Sequence, residues 1–312
     1  AVRALVTGVA GFLGSTLAEA LRGSGFEVLG VDAFTANYDP SVKRANLSRL
    51  RTDPGFHFVE ADLREADLGP LLDGVTHVAH LAALPGVRSS WGESFRDVAE
   101  HNVVATQRLL EAARGRALVK VAVASSSSVY GAARHTPTGE EEPRRPISPY
   151  GVTKLATEAL VYAYRREQGV PAVALRYFTV YGPRQRPDMG FHRFFEAGRH
   201  GTPVTIYGDG GQTRDFTFVD DAVAATVASL TRETKEFAYN VGGGHRVALS
   251  EVLDRIERLV GRPIERRHIE PQHGDPRDTS ADTGLARRDL GYEPRTTLEQ
   301  GLSRQWEWQR NI

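Results

Sequence analysis

Six short apolar runs rich in β-branched residues recur along the first 180 positions: Leu5-Val6-Thr7, Phe26 to Val31, Phe56 to Glu60, Val75 to Leu81, Leu118 to Ala124 and Val170 to Phe178. Runs of this length, without strict alternation, read as strands buried on both faces. Helical spacing fills several of the intervals, from Gly11 to about Leu21, from Glu93 to Arg114 and through Tyr150. Alternating strands and helices predict an α/β fold with a doubly wound parallel sheet over residues 1–182, whose ligands belong at the carboxyl ends of the strands. Beyond Tyr181-Gly182-Pro183 the pattern loosens into Pro-, Gly- and Arg-rich segments, predicting a smaller mixed α/β unit over 183–312 that receives the substrate. The chain is expected to return to the sheet at about 216–241, through a helix ending near Leu230 and a strand Phe237 to Val241. Leu249 to Val260 predicts an amphipathic helix.

Composition narrows the classes of function. Hydrophobic residues make up 40% of the 312 and charged residues 25%, as in ordinary globular proteins. The formal net charge is zero and no basic tract is present, so nucleic acid is not an expected partner. No long uncharged apolar run suggests a membrane span. There is no cysteine, which excludes disulfides and thiolate metal sites, and the ten histidines show no metal-ligand spacing, so no metal is expected. The first strand pattern begins almost at Ala1 with no leader before it, and a cytoplasmic location is expected.

The first strand ends in Gly8-Val9-Ala10-Gly11-Phe12-Leu13-Gly14, a glycine-rich turn that opens a helix. Such a turn lets backbone N–H groups approach a pyrophosphate. Gly8, Gly11, Phe12 and Leu13 are therefore candidates for dinucleotide contacts. Asp32 ends the second strand, eighteen residues after Gly14, where an acid accepts hydrogen bonds from the adenosine ribose and repels a 2′-phosphate; NAD is the expected cofactor rather than NADP. Asp62-Leu63 and Leu81-Ala82-Ala83 end the third and fourth strands. Asp62 is placed to meet the adenine amino group or, alternatively, to cap the next helix.

The fifth strand runs into Ser125-Ser126-Ser127-Ser128-Val129-Tyr130-Gly131, and Tyr150 and Lys154 follow four apart on a helix. A phenol has a pKa of about 10, but a nearby ammonium and a cationic cofactor favour the phenolate. Tyr150 would then serve as a proton acceptor, with a serine hydroxyl bridging it to a substrate hydroxyl. Alone, Tyr-x-x-x-Lys is an ordinary helical pair; the nicotinamide site upstream gives it meaning.

Together these motifs, with Arg214-Asp215-Phe216 and Arg277-Asp278, resemble the extended short-chain dehydrogenase/reductase family of nucleotide-sugar epimerases and dehydratases, over essentially the whole chain. The resemblance implies a Rossmann domain holding NAD tightly and using it transiently, a UDP-sugar substrate, and a homodimer built on helices near 93–114 and 150–168. It adds Asn102 and Tyr177 to the cofactor contacts. Within the family, Asp32-Ala33-Phe34 with Tyr38-Asp39, Ala83 to Ser89, and Arg176 to Met189 look most like UDP-glucuronate 4-epimerases. The pattern gives the catalytic hydroxyl to Ser126, with Ser127 as the alternative register, beside Tyr150 and Lys154. Dehydratases and decarboxylases of the family carry acids next to that hydroxyl, where this chain has Ser127 and Ser128. Short hydroxyls suit a carboxylate-bearing sugar, and Ser127, Ser128 and Thr179, with Arg88 or Arg186, are its expected contacts. Arg214 and Arg277 match the diphosphate-binding arginines, and the uracil is expected near Met189 to Phe195 and Thr205-Ile206-Tyr207. The resemblance thus implies inversion at C4 of UDP-glucuronic acid through a transient 4-keto sugar. UDP-glucose 4-epimerisation, UDP-glucuronate decarboxylation and non-catalytic NAD sensing are the alternatives.

Overall fold

The computed structural model describes residues 2–312. All six apolar runs form strands: β1 (Arg3–Thr7), β2 (Glu27–Asp32), β3 (Phe56–Glu60), β4 (His77–His80), β5 (Lys120–Ser126) and β6 (Ala172–Tyr177). Between them lie α1 (Phe12–Gly23), α2 (Pro40–Asn46), α3 (Phe95–Ala99), α4 (Ala105–Ala113) and α5 (Pro149–Gln168). One π turn, Glu100–Val104, joins α3 to α4, so the expected continuous helix carries an inserted residue in its middle.

The remaining elements are β7 (Val180–Tyr181), α6 (Gly190–His200), β8 (Val204–Tyr207), β9 (Thr213–Asp215), β10 (Thr217–Phe218), α7 (Val219–Thr231), β11 (Ala238–Val241), β12 (Arg246–Ala248), α8 (Leu249–Val260), β13 (Arg266–Ile269), α9 (Gly284–Leu290) and α10 (Leu298–Gln309). A seven-stranded parallel sheet has the order β11-β6-β5-β4-β1-β2-β3. The short strands pair off separately as β7 with β10, β9 with β12 and β8 with β13.

Side chains alternate across this sheet. Leu5, Val78, Val121 and Val123 pack with Leu109 and Leu110 of α4 and Val161 of α5, while Val6, Ala79, Ala122 and Leu175 pack with Leu17 of α1 and Ala222 of α7. Helices on both faces make the sheet doubly wound, and strand order reverses between β1 and β4, which opens a crevice at their carboxyl ends. Helix α5 begins with Ser148 accepting from Gly151 N at 3.0 Å and Pro149 in the first turn, and ends at Gly169 with φ 64°. Tyr150 in its first turn, with Lys154, lines the crevice.

Candidate active site

The crevice is a cleft of about 420 Å³ lined by the ends of β1, β2, β4, β5 and β6 and by the first turns of α1 and α5. Its shape begins with two glycines. Gly8 has φ 67°, and a Cβ there would lie 2.8 Å from Ala82 N; a Cβ on Gly14 would lie 2.1 Å from the Gly8 carbonyl oxygen. Only glycine permits both the turn and the close seating of α1 against it. No side chain caps the N-terminus of α1, so its first-turn N–H groups, beside Gly11, Phe12 and Leu13 in the cleft wall, face the crevice. That is a fitting cradle for a dinucleotide pyrophosphate.

Asp32 sits at the end of β2 in the same wall. Its Oδ2 accepts from Ala10 N and its Oδ1 from Phe34 N, both at 2.9 Å, which fixes the carboxylate and leaves lone pairs for a ribose diol. Asp62 and Leu63 line the cleft as expected, but the Asp62 carboxylate is engaged by Arg64, Nη2 to Oδ2 at 2.7 Å, and this pairing lowers its pKa. Lys43 was not anticipated. Its Nζ donates to Thr35 O at 2.7 Å, Thr35 Oγ1 at 3.0 Å and Asn37 Oδ1 at 2.9 Å and lies 4.6 Å from the centroid of the Tyr38 ring, fixing the cleft edge between Thr35 and Tyr38. Burial pushes the Tyr38 phenol up to about 12.

Leu81, Ala82 and Ala83 form the wall beyond β4, and the ring of Tyr177 closes it from β6 with its hydroxyl turned to Thr226 Oγ1 at 2.5 Å. Asn102 requires a correction. It lies in the π turn, 1% exposed and off the cleft lining, with Oδ1 accepting from Leu84 N at 2.7 Å and Nδ2 donating to Leu84 O at 3.0 Å and Thr153 Oγ1 at 3.1 Å. Both amide hydrogens and one Oδ1 lone pair are used inside the protein, so the side chain holds the wall beside Leu84.

At the other end of the cleft, β5 carries the serine run into a short turn. Ser126 Oγ accepts from Ser128 N at 3.1 Å and donates to Ser128 Oγ at 3.0 Å. It is also the hydroxyl that faces the Tyr150 phenol: burial raises the Tyr150 pKa, while the Arg186 guanidinium and a hydrogen bond with Ser126 pull it down. Arg186 is thus a cation acting on Tyr150 that the spacing did not suggest. Lys154 Nζ lies 5.8 Å from the Tyr150 ring centroid and donates to Ala124 O at 3.1 Å; burial lowers its pKa to about 8, with the Glu158 carboxylate opposing. Ser127, Ser128, Thr179, Arg186 and Met189 complete this end. Among the described residues, the acids lining the cleft are Asp32 and Asp62, both at the far end.

A second cluster lies around residues 275–278, outside that lining. Arg88 stacks over Tyr207 with Cζ 3.9 Å from the ring centroid and approaches Asp275 Oδ2 at 3.7 Å. Arg214 Nη1 donates to Thr213 O at 2.7 Å and Arg277 O at 3.0 Å, and burial lowers its pKa against the pull of Asp275 and Asp278. Arg277 is exposed and paired with Asp209 at 2.7 Å. Thr205 is apart from the cleft, paired in β8 against Arg267 of β13.

Residues 4–242 match the NAD dependent epimerase/dehydratase family. The Bacillus subtilis uncharacterized UDP-glucose epimerase YtcB is 44% identical over 308 residues, covering 97% of this chain and 96% of that protein. The UDP-glucuronate 4-epimerase of Thermodesulfobacterium geofontis is 36% identical over 311 residues, covering 98% and 95%. Among solved structures, the Bacillus cereus UDP-glucuronic acid 4-epimerase in complex with UDP-glucuronic acid and NAD superposes with a TM-score of 0.95 at 40% identity, covering 99% of both chains.

Proposed function

The chain belongs to the NAD-dependent epimerase/dehydratase family, and from that premise we propose that it inverts C4 of UDP-glucuronic acid to give UDP-galacturonic acid. One observation carries the choice of a uronate: among the described residues the lining at the sugar end is Ser126, Ser127, Ser128, Thr179 and Arg186 with no acid, the nearby Asp188 being paired with Arg186 at 3.1 Å outside the lining. A buried carboxylate beside another would cost several kcal/mol, whereas each hydroxyl donated to it contributes about 1.5–3 kcal/mol.

The glycine cradle, Asp32, the Leu81 to Ala83 wall and Lys154 would hold NAD, which when bound supplies the reversible two-electron oxidation at C4. Tyr150 takes the C4 hydroxyl proton at its phenolate oxygen, Ser126 orienting or relaying it, and later returns it. Arg186 and Lys154 favour the phenolate, while Ser127, Ser128 and Thr179 hold the sugar carboxylate. Arg88, Arg214 and Arg277 receive the diphosphate and the adjoining nucleoside; Arg277 must first leave Asp209. The segment 183–312, apart from about 216–241, serves as the sugar-nucleotide unit.

A homodimer is supported by Phe95 and Val104 along the α3–α4 helix and Val152 and Tyr162 on α5, all exposed on the two helices expected to pair. No helix among the described residues is long and apolar enough to cross a membrane. The cytoplasm, where NAD and UDP-sugars are both available, is the location we assign.

The Bacillus subtilis relative favours a second reading, UDP-glucose 4-epimerisation. Incubation with UDP-glucuronic acid and UDP-glucose in turn, with product mass and sugar NMR, decides between them. Release of a UDP-pentose would instead indicate a decarboxylase, and a Tyr150→Phe variant unchanged in every activity would indicate an NAD sensor.

A further inference from the structure

Two residues of α5 clasp two consecutive residues of β5. Lys154 Nζ donates to Ala124 O at 3.1 Å, and one helical turn later Glu158 Oε2 accepts from Ser125 Oγ at 2.5 Å. Ser126 is the next residue of the strand, and Tyr150 is one turn before Lys154 on the helix. Helix and strand are therefore tied at the two positions adjoining the proton-transfer pair.

Glu158 is 0% exposed, and Ser125 and Lys154 are 3% and 5% exposed. The carboxylate also accepts from Arg176, Nε to Oε2 at 2.9 Å and Nη2 to Oε1 at 2.6 Å, and from Arg144 Nη1 at 3.0 Å. Arg176 Nη1 donates to the Tyr130 hydroxyl at 2.8 Å, and that hydroxyl donates to Asn240 Oδ1 at 2.7 Å. A buried charge so fully satisfied is fixed in place.

We propose that Glu158 and Ser125 are positioning residues for the reaction: through this clasp they set Tyr150 against Ser126, and the Glu158 carboxylate keeps the Lys154 side chain an ammonium. The first effect is geometric. A strand end free to shift by a fraction of an ångström would misplace the hydroxyl of Ser126 from the phenol. The second is electrostatic. Lys154 faces Tyr150 and Glu158 on its own helix and neutral His80 from β4; Arg186 faces Tyr150, while Arg176 from β6 and Arg144 face Glu158. Among these, Glu158 supplies the negative charge that favours the ammonium against burial.

The kinetic part rests on the epimerase reading; the charge on Lys154 can be read without it. The chain has four lysines, Lys43, Lys120, Lys154 and Lys235, so lysine labelled with carbon-13 and nitrogen-15 at the side-chain terminus gives a four-signal NMR titration. Lys154→Arg assigns the relevant signal. Glu158→Gln is expected to lower the Lys154 midpoint by about one pH unit or more, and Ser125→Ala to leave it in place. Ser125→Ala should lower kcat about tenfold with KM within about twofold and no displacement of the pH profile. Glu158→Gln should move the alkaline fall of kcat/KM to lower pH.

A folded Glu158→Gln protein with the wild-type Lys154 midpoint, or a Ser125→Ala protein with full kcat, would overturn the proposal. If Glu158→Gln does not fold, the kcat of Ser125→Ala decides. A wild-type protein that does not turn over UDP-glucuronic acid would sink the functional reading, while the Lys154 midpoint would still decide this one.

Discussion

The Thr7 hydroxyl donates to Nδ1 of His80 at 2.7 Å, and the direction of that bond follows from its neighbours. Thr106 Oγ1 donates to Asn102 O at 2.8 Å, so it accepts from His80 Nε2 at 2.9 Å; the proton is on Nε2 and Nδ1 is bare. Thr7 Oγ1 in turn accepts from Leu81 N at 3.0 Å and Ala82 N at 3.1 Å, the two amides that shape the cleft wall. Replacing Thr7 by Val should therefore destabilise the fold by about 1–3 kcal/mol and weaken NAD retention, read by thermal unfolding and by the cofactor carried through purification.

The same relay predicts a pH effect. Burial lowers His80 from 6.5 to about 3, so between those values the unfolded chain binds the proton and the folded chain does not. The stabilising contribution is whole above 6.5 and is lost as pH falls towards 3, with a slope of about 1.4 kcal/mol per pH unit for one proton. Denaturant titrations of the wild type and His80→Asn across that window should differ by this slope. Parallel curves would contradict it.

Lys154, lowered to about 8, gives up its ammonium as pH rises through that value. If the ammonium supports the phenolate, kcat/KM should fall above about pH 8. Lys154→Arg, whose charge persists, should be slower overall yet lose that fall. An unchanged alkaline limb in the arginine variant would remove Lys154 from this role.

Asp32 is oriented by Ala10 N and Phe34 N before any ribose arrives. Asp32→Ala should weaken NAD binding about tenfold or more and leave NADP binding the same or stronger. Calorimetric titration with each dinucleotide checks both. Equal losses for the two would mean that Asp32 supports the loop and does not discriminate.

A 4-keto uronate loses CO₂ when its carboxylate bond aligns with the carbonyl π system, and hydroxyls that hold the carboxylate prevent that alignment. Ser128→Ala and Thr179→Ala should raise the UDP-pentose share of product severalfold. Variants that slow epimerisation without releasing extra CO₂ would exclude these hydroxyls as the guard.

The sheet was legible because strands buried on both faces leave apolar, β-branched runs between helices, and the family assignment followed from motifs at their carboxyl ends. The register of the serine run was legible by resemblance alone, because four identical residues carry no alternation of their own; in the structure Ser126 ends β5 and is the hydroxyl beside Tyr150. Asn102 was assigned to the cofactor on resemblance; the π turn that carries it, which leaves no trace in helical spacing, sets its side chain against Leu84 and Thr153. Lys43 and Arg64 sit among charged positions that read as solvent-facing, and nothing local marks one lysine as enclosed by Thr35 and Asn37. Arg186 was assigned to the sugar on resemblance; its influence on Tyr150 depends on the path of a loop that sequence does not draw.

Ser126 is the last residue of a strand flanked on both sides within the sheet, in register with Tyr177 of β6. Its backbone is tied to β6 there and, one and two residues earlier, to α5 through the bonds of Ser125 with Glu158 and Ala124 with Lys154, whereas Arg186 rides on a connection outside any helix or strand. The two walls at that end of the cleft thus differ in how the fold holds them. On the proposed reading, adjustment to the sugar nucleotide falls to the arginine side, and the serine side supplies the fixed reference for proton transfer.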